Sequence, residues 1–422
     1  MSILKRNSLI KLSSFFVYLI PFALLTGPAI PDILLSLTAI IFLILSISSR
    51  EYFYFKNNFF YIFIIFYIYL VLISLFSDDA YFSLRSSLFY FRFIIFSLAI
   101  WFLISNNKYF VKIFSVIFFV TFVFALLDGY SQYIFNYNLF GYDKPENRLF
   151  LTFDDSVILG GYISRLFPLL IALIFIKNTK FKYKILLLFI LLIFTDLLIY
   201  ISGERTAFGL LTLMTVLIVL LISSHRKIII ITFAISSLLI IVTTLTDKNI
   251  KYKMIDHTIS QMSNMAISDE DKKSNFVIFS LEHHAYIMTA WEMFKHKPLI
   301  GHGPNSFRKN CDKNQYQYNK TSCTTHPHNT YIQILSEIGL FGLLFLVVII
   351  FYLSAKLIKK FLLQIGYNNT KQAYSDYQIY LIICFIITLW PFFPTQNFFN
   401  NWINIIYYLP VGFYLQEIYK NK

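Results

Sequence analysis

Twelve apolar runs, each close to the ~17–25 residues that a helix needs to cross a bilayer, leave this chain few folds to choose from. They lie near 9–25, 33–49, 58–76, 86–104, 109–127, 157–176, 183–201, 206–222, 228–246, 331–354, 377–395 and 401–418. In hydrocarbon a backbone must satisfy its own N–H and C=O groups, so runs of this length read as helices. Composition agrees: 57% of residues are hydrophobic and 14% charged, a balance foreign to a soluble domain of this size. The 48 Phe and 30 Tyr suit lipid-facing surfaces and interfacial belts. The expected fold is an all-α polytopic membrane protein of about twelve transmembrane helices.

A formal charge of +14 could suggest nucleic acid. In a membrane protein it more often marks cytoplasmic loops rich in Lys and Arg, and the loops can be compared. With a cytoplasmic N-terminus the inner loops hold Lys5, Arg6, Lys11, Arg50, Lys56, Lys108, Lys112, Lys177, Lys180, Lys182 and Lys184. They also hold Arg226, Lys227, Lys356, Lys359, Lys360, Lys371, Lys420 and Lys422, whereas the short outer loops hold only Arg85, Lys144, Arg148 and Arg205. The positive-inside rule therefore predicts cytoplasmic ends and an outward-facing segment 246–330. Lys5, Arg6 and Lys11 resemble the start of a signal peptide, but Pro21 and Gly27-Pro28 lead straight into more apolar chain, without a small-x-small cleavage site. A retained, Pro-kinked first helix is expected.

Three polar interruptions stand out. Arg92 and Arg165 fall inside apolar runs, where a charge costs at least ~2.5 kcal/mol at the bilayer centre unless it snorkels to an interface. The outer loop from Asp128 to Ser156 carries Asp143, Lys144, Glu146, Arg148, Asp154 and Asp155, which read mainly as a solvated face. The third is Ser202-Gly203-Glu204-Arg205-Thr206-Ala207-Phe208-Gly209, where two apolar segments meet with hardly any loop between them. Arg205 would sit beside a helix N-terminus there, and a guanidinium with free N–H groups suits a phosphate. The alternative is a structural ion pair with Glu204 or a loop carboxylate.

The long segment 246–330 holds seven of the eight histidines (His257, His283, His284, His296, His302, His326 and His328), with only His225 elsewhere. Groups that titrate near neutrality are thus gathered in one stretch of an otherwise greasy chain. Within it, Val277, Leu281, Met288, Trp291 and Phe294 recur at helical spacing and predict an amphipathic helix over 276–297, closed by Lys297-Pro298. Gly301-His302-Gly303-Pro304 is a turn whose backbone N–H groups either face an anion or serve a plain connector. Cys311 and Cys323, twelve positions apart, read as a disulfide on an oxidising side. A metal pair with neighbouring histidines lacks the short spacing of a zinc site. Next, Thr324 or Thr325 is expected to cap a helix with Pro327 in its first turn. Asn329, Gln333 and Glu337 then line one face of that helix, toward a bundle interior or a water-filled cavity. His326 and His328 stand at the mouth of that face.

These residues carry a family resemblance. His328-Asn329, nine residues, Gly339, two residues, Gly342 resembles the signature of the O-antigen ligase family: His, then Asn, Ser or Gln, nine residues, Gly, two residues, then Gly, Thr or Tyr. That family shares a superfamily with O-antigen polymerases and bacterial protein O-oligosaccharyltransferases. The Arg-containing turn Ser202–Gly209 and the turn Pro298–Phe307 are similar too, as is the expected order of nine helices (1–246), a helical periplasmic segment (247–330) and three helices (331–422). The resemblance implies a GT-C-like, metal-independent glycosyltransferase without cofactor. Its donor would be an undecaprenyl diphosphate-linked glycan and its acceptor the lipid A-core, at the periplasmic face of the bacterial inner membrane.

By the same resemblance, Arg205 matches an arginine thought to hold the diphosphate, and His328 the histidine thought to assist the acceptor hydroxyl. Around them His283, His284, Arg308, His326, Asn329, Gly301 and Gly303 become substrate-binding candidates. One departure is evident: many members carry an Arg near the place of His283, where this chain has Glu282-His283-His284. Either a histidine has taken over, or Arg308 supplies the charge. The chemistry is compatible, because displacing a diphosphate from an anomeric carbon needs positive charge on the leaving group and a base for the incoming hydroxyl. Within the enzyme class a repeat-unit polymerase or a protein O-glycosyltransferase would use the same donor. A lipid-linked glycan flippase would more naturally spread its cations along a central cavity, and a zinc-dependent enzyme is favoured only by the histidine count.

Overall fold

Every apolar run contains a helix in the computed structural model, which describes residues 2–143, 148–150, 152, 158–176, 183–263, 278–365 and 374–420. In chain order these are α1 (Ile3–Ala23), α2 (Ala29–Ser49), α3 (Asn58–Leu75), α4 (Ala80–Ser87), α5 (Phe91–Asn106) and α6 (Phe110–Phe135). Then come α7 (Leu159–Phe175), α8 (Lys184–Ser202), α9 (Arg205–Leu221), α10 (Arg226–Thr246), α11 (Lys248–Lys251) and α12 (His257–Ser263). The last are α13 (Leu281–His296), α14 (Phe307–Asn310), α15 (Thr330–Ile365), α16 (Asp376–Thr388) and α17 (Asn401–Tyr419). The chain is an all-helical polytopic membrane protein, and eight of its described helices are long and apolar enough to cross a bilayer, counting α4–α5 as one.

The expectation of twelve spans is therefore met in span length by eight. α7, α9 and α16 are apolar but shorter, and Asn401, Asn404, Gln416 and Glu417 dilute the hydropathy of α17. For α7 the reason is its position. It is buried from Leu159 through Ile174, so protein rather than lipid surrounds it and no hydrocarbon thickness dictates its length. Phe167 of α7 stacks on Phe122 of α6 at 5.1 Å.

Both arginines inside apolar runs are held by the protein. Arg92 donates to both carboxylate oxygens of Asp32 on α2, at 2.9 and 3.2 Å from Nη2, and its guanidinium lies 4.7 Å from the Phe93 ring centre. Arg165 is 5% exposed, within α7. At one end of the bundle Arg6 bonds Glu51 and Asn106, and Asp376 joins Ser224 and Lys360. The segment between α10 and α15 packs against the other end.

That packing centres on a break in α15. Gly339 has φ 70° inside an otherwise continuous helix, and the turn after α13 lies across the break. Leu340 N donates to Pro298 O (2.8 Å), Gly303 N to Glu337 O (2.7 Å) and His302 N to Ser336 O (3.2 Å). A Cβ on Gly301 would lie 2.4 Å from the Glu337 carbonyl carbon, and Gly301 itself has φ +66°. Gly301→Ala combines that clash with a left-handed backbone costing ~1–2 kcal/mol on its own. It is expected to lower the apparent Tm in detergent by several degrees, read by fluorescence-detected size exclusion. An unchanged Tm would show that the turn can lift off α15.

Residues 276–297 were expected as one amphipathic helix with Leu281, Met288, Trp291 and Phe294 on its packing face; α13 runs from Leu281 to His296 and is capped by Ser280. Its buried face is His284, Ala285, Ile287, Thr289, Ala290 and Met293, while Leu281 and Trp291 are exposed. Ala285, Thr289 and Ala290 keep part of this face small where α13 packs against α15. Val277 lies outside the described residues, as do Lys144, Glu146, Asp154, Asp155, Lys177, Lys180, Lys182, Lys371 and Lys422.

Candidate active site

The helix entry expected at Thr324 or Thr325 begins later. α15 starts at Thr330 and Asn329 is its cap, its Oδ1 accepting from Tyr331 N (3.0 Å) and Ile332 N (3.2 Å). Asn329 Nδ2 donates to Pro391 O at 2.9 Å. Pro327 and His328 thus lie outside the helix, and His328 takes a left-handed conformation with φ 53°. Its carbonyl accepts from Thr395 N at 2.8 Å. The physical reason is local: a side-chain amide that accepts from two amides one turn on defines the first turn better than a threonine before a proline can.

This bend presents the His328 imidazole to a ring of others. Ring centres lie 4.1 Å away for His326, 5.2 Å for His283 and 5.7 Å for Tyr286. His283 is aimed by its own helix cap: Ser280 Oγ accepts from His283 N (3.2 Å) and lies 2.7 Å from His283 Nδ1. Burial and then the nearby His283 push the His328 pKa down to about 4. Burial drives His326 to about 3, with His328 the next cause, and burial lowers His283 as well. The three imidazoles are accordingly neutral at neutral pH, which lets them share one pocket.

The other histidines go elsewhere. His284 accepts from Ile278 N at 3.4 Å and faces the Tyr318 ring. His296 and His302 face Tyr316, and His257 meets Arg205. The clustering in sequence resolves into three residues in the pocket and a scaffold around it. Cys311 and Cys323 are joined, with Cα atoms 5.0 Å apart, and Cys311 packs with Ala290, Met293, Phe307 and Tyr316 in a small core. Closing this loop stabilises the segment by about 3 kcal/mol on the chain-entropy account.

Arg205 opens α9 after the turn at Gly203. Its Nη1 donates to Thr258 Oγ1 (2.9 Å) and Gln261 Oε1 (3.0 Å), and Nη2 lies 3.3 Å from His257 Nδ1. Among the described residues no ion pair involves Arg205, so the alternative of a pair with Glu204 is not realised. Glu204 turns the other way and accepts from Gly160 N at 2.7 Å. Burial raises its pKa to about 7, against the pull of that amide and of Arg165. Arg148 lies near enough to act on both Glu204 and Arg205.

Two cations here escaped sequence reasoning as site residues. Among the described residues Arg165 has one long hydrogen bond, Nη1 to Gly161 O at 3.4 Å, and its buried Nε has no hydrogen-bond partner there. An intramembrane charge was the available signal for it, whereas nothing singled out Arg148 from its loop. Arg308, on α14, is exposed and acts electrostatically on His326. The amides of Gly301 and Gly303 donate to Lys297 O and Glu337 O, so those two N–H groups are engaged within the chain.

Of the two places expected for the polar stripe, a bundle interior or a water-filled cavity, the structure takes the interior. Gln333 and Glu337 are fully buried and bond the turn and the loop after α16 rather than line a water-filled cavity. That loop was read as helix to residue 395, but α16 ends at Thr388. Pro391 and Pro394 were the signal, since the residue before a proline disfavours helix.

Residues 186–347 match the family described as O-Antigen ligase. The match runs from α8 into α15 and takes in Arg205, α13, the Pro298–Phe307 turn and His328. No curated protein matches the chain.

Proposed function

We propose that the chain transfers an O-antigen glycan from undecaprenyl diphosphate to the lipid A-core, a reading supported by the match of residues 186–347 to the O-antigen ligase family in a polytopic membrane protein. The transfer takes place at the periplasmic face of the inner membrane, on the side to which the loop charges assign the segment 246–330. One observation carries the reading: a neutral, half-buried imidazole, His328, shares a pocket with His283, on which the Arg205 guanidinium acts.

In this reading His328 accepts the proton of the acceptor hydroxyl as its oxygen attacks the anomeric carbon. The bond from that carbon to the diphosphate oxygen breaks, and the electron pair leaves with the diphosphate. Arg205 stabilises the charge that develops there, with Arg165 and Arg148 adding positive potential about the same turn. Arg165, buried within electrostatic reach of the Glu204 carboxylate, adds a second guanidinium beside this turn. Among the described residues no three His, Cys, Asp or Glu side chains gather as metal ligands, and the reading assigns leaving-group stabilisation to guanidinium groups.

The test is deletion of the gene in its native bacterium followed by gel analysis of lipopolysaccharide. Loss of the long-chain ladder with the core retained is expected. A core bearing a single repeat unit would instead identify a polymerase, and intact lipopolysaccharide with loss of glycoprotein a protein glycosyltransferase.

A further inference from the structure

The Glu337 carboxylate is wholly buried and accepts three hydrogen bonds. Oε2 accepts from Asn305 N (2.9 Å) and Gln333 Nε2 (3.0 Å), and Oε1 from Phe307 N (3.0 Å). Gln333 Nε2 also donates to Asn397 Oδ1 at 2.8 Å, and Asn397 Nδ2 to Asn305 Oδ1 at 2.8 Å. The contacts close a ring of Glu337, Gln333, Asn397 and Asn305. It joins α15, the turn after α13 and the loop 389–400. Gln333 Oε1 adds a bond from Phe398 N at 2.9 Å.

Two residues from Asn397 lies Thr395, which holds the pocket. Its N–H donates to His328 O at 2.8 Å, its carbonyl lies 3.1 Å from His326 Nε2, and its hydroxyl lies 2.8 Å from that of Thr330. His328 needs such a clamp, because a left-handed conformation costs a non-glycine residue ~1–2 kcal/mol. A buried polar ring tolerates the loss of a member poorly, since each unpaired group left behind pays its full desolvation.

We propose that Asn397, through this ring with Glu337, is a positioning residue for His328: it fixes loop 389–400 in the register in which Thr395 clamps the His328 backbone. The proposal rests on the reading of His328 as the base. Asn397 touches no reacting atom in this scheme, and Arg205 is bonded to α12 instead. The effect of losing Asn397 therefore falls on turnover rather than on donor affinity.

The experiment is a double-mutant cycle on the purified full chain in nanodiscs. Asn397→Leu is expected to lower kcat about 10²-fold, the scale of an ~1 Å misplacement, with donor KM little changed. In the His328→Ala background the same substitution should cost less than about threefold, because it acts through the missing imidazole. Carbethoxylation of His328 by diethyl pyrocarbonate, followed by peptide mass spectrometry, should quicken in Asn397→Leu as the clamp loosens. Losses that multiply in the double variant, or an unchanged rate of carbethoxylation, would overturn the proposal. If His328→Ala alone keeps full turnover, the reading of His328 as base falls, and carbethoxylation alone decides the positioning. Should Asn397→Leu fail to survive extraction, Asn397→Ser, which leaves room for water, carries the same measurements.

Discussion

His328→Ala is expected to lower turnover by ~10²–10⁴-fold, the usual worth of a general base, with binding of the lipid-linked donor retained. The pocket explains the selectivity. His328 faces His283, His326 and Tyr286, whereas the cations that would meet a diphosphate lie on α9 and α7. Its pH dependence should be diagnostic. With the pKa lowered to about 4 by burial and His283, the base form persists at mildly acidic pH and is lost as pH falls through about 4. An ordinary histidine would lose it near 6.5. The same shift acts on stability: the unfolded imidazole takes up its proton first, so folding weakens as pH falls from about 6.5 toward 4 and then levels off. Turnover like the wild type's in His328→Ala, at equal protein level, would show that the imidazole is structural.

Arg205→Lys is expected to lose ~10²–10³-fold in activity, the scale seen when one donor to a developing anion is removed. A lysine keeps the charge but cannot offer two parallel N–H donors. Arg205 also bonds Thr258 and Gln261 of α12, so some loss could come from undocking that helix. Thr258→Ala and Gln261→Ala separate the two effects, because they remove the docking partners and leave the guanidinium. If those variants match Arg205→Lys in lost activity, anchoring of α12 accounts for the arginine; full transfer by Arg205→Ala would remove it from the mechanism altogether.

The architecture was legible in the sequence wherever hydrophobicity alone decides. The apolar runs became helices because a backbone in hydrocarbon has no alternative. The turn at Gly203 and the end of α13 at Lys297 fell where glycine and proline placed them. What could not be read was the direction of polar side chains. Gln333 and Glu337 do share one face of α15, but whether that face meets water or another part of the chain depends on partners far along the sequence. Asn397 and Asn305 are such partners. The start of α15 was misplaced because two threonines resemble caps as well as Asn329 does, and only loop 389–400 decides between them. His283 and His284 are adjacent and alike in sequence, yet α13 turns one to His328 and the other to Tyr318. Arg165 showed as an anomaly of polarity, but that its Nε lacks a hydrogen-bond partner among the described residues shows only in three dimensions.

The break at Gly339 bears on the height at which the proposed chemistry would sit. Eight positions lead from Asn329 to Glu337, about 12 Å of helix rise, so the turn carrying Gly301 is gripped that far along α15 from the pocket. The segment that carries the histidine cluster is thereby moored along a spanning helix rather than at its tip alone. Whatever sets the vertical seat of α15 also sets how far His328 stands from the headgroups. A bilayer thinner or thicker than the native one would then shift the height at which an incoming sugar must present its hydroxyl, making lipid chain length a control on acceptor reach with no residue altered.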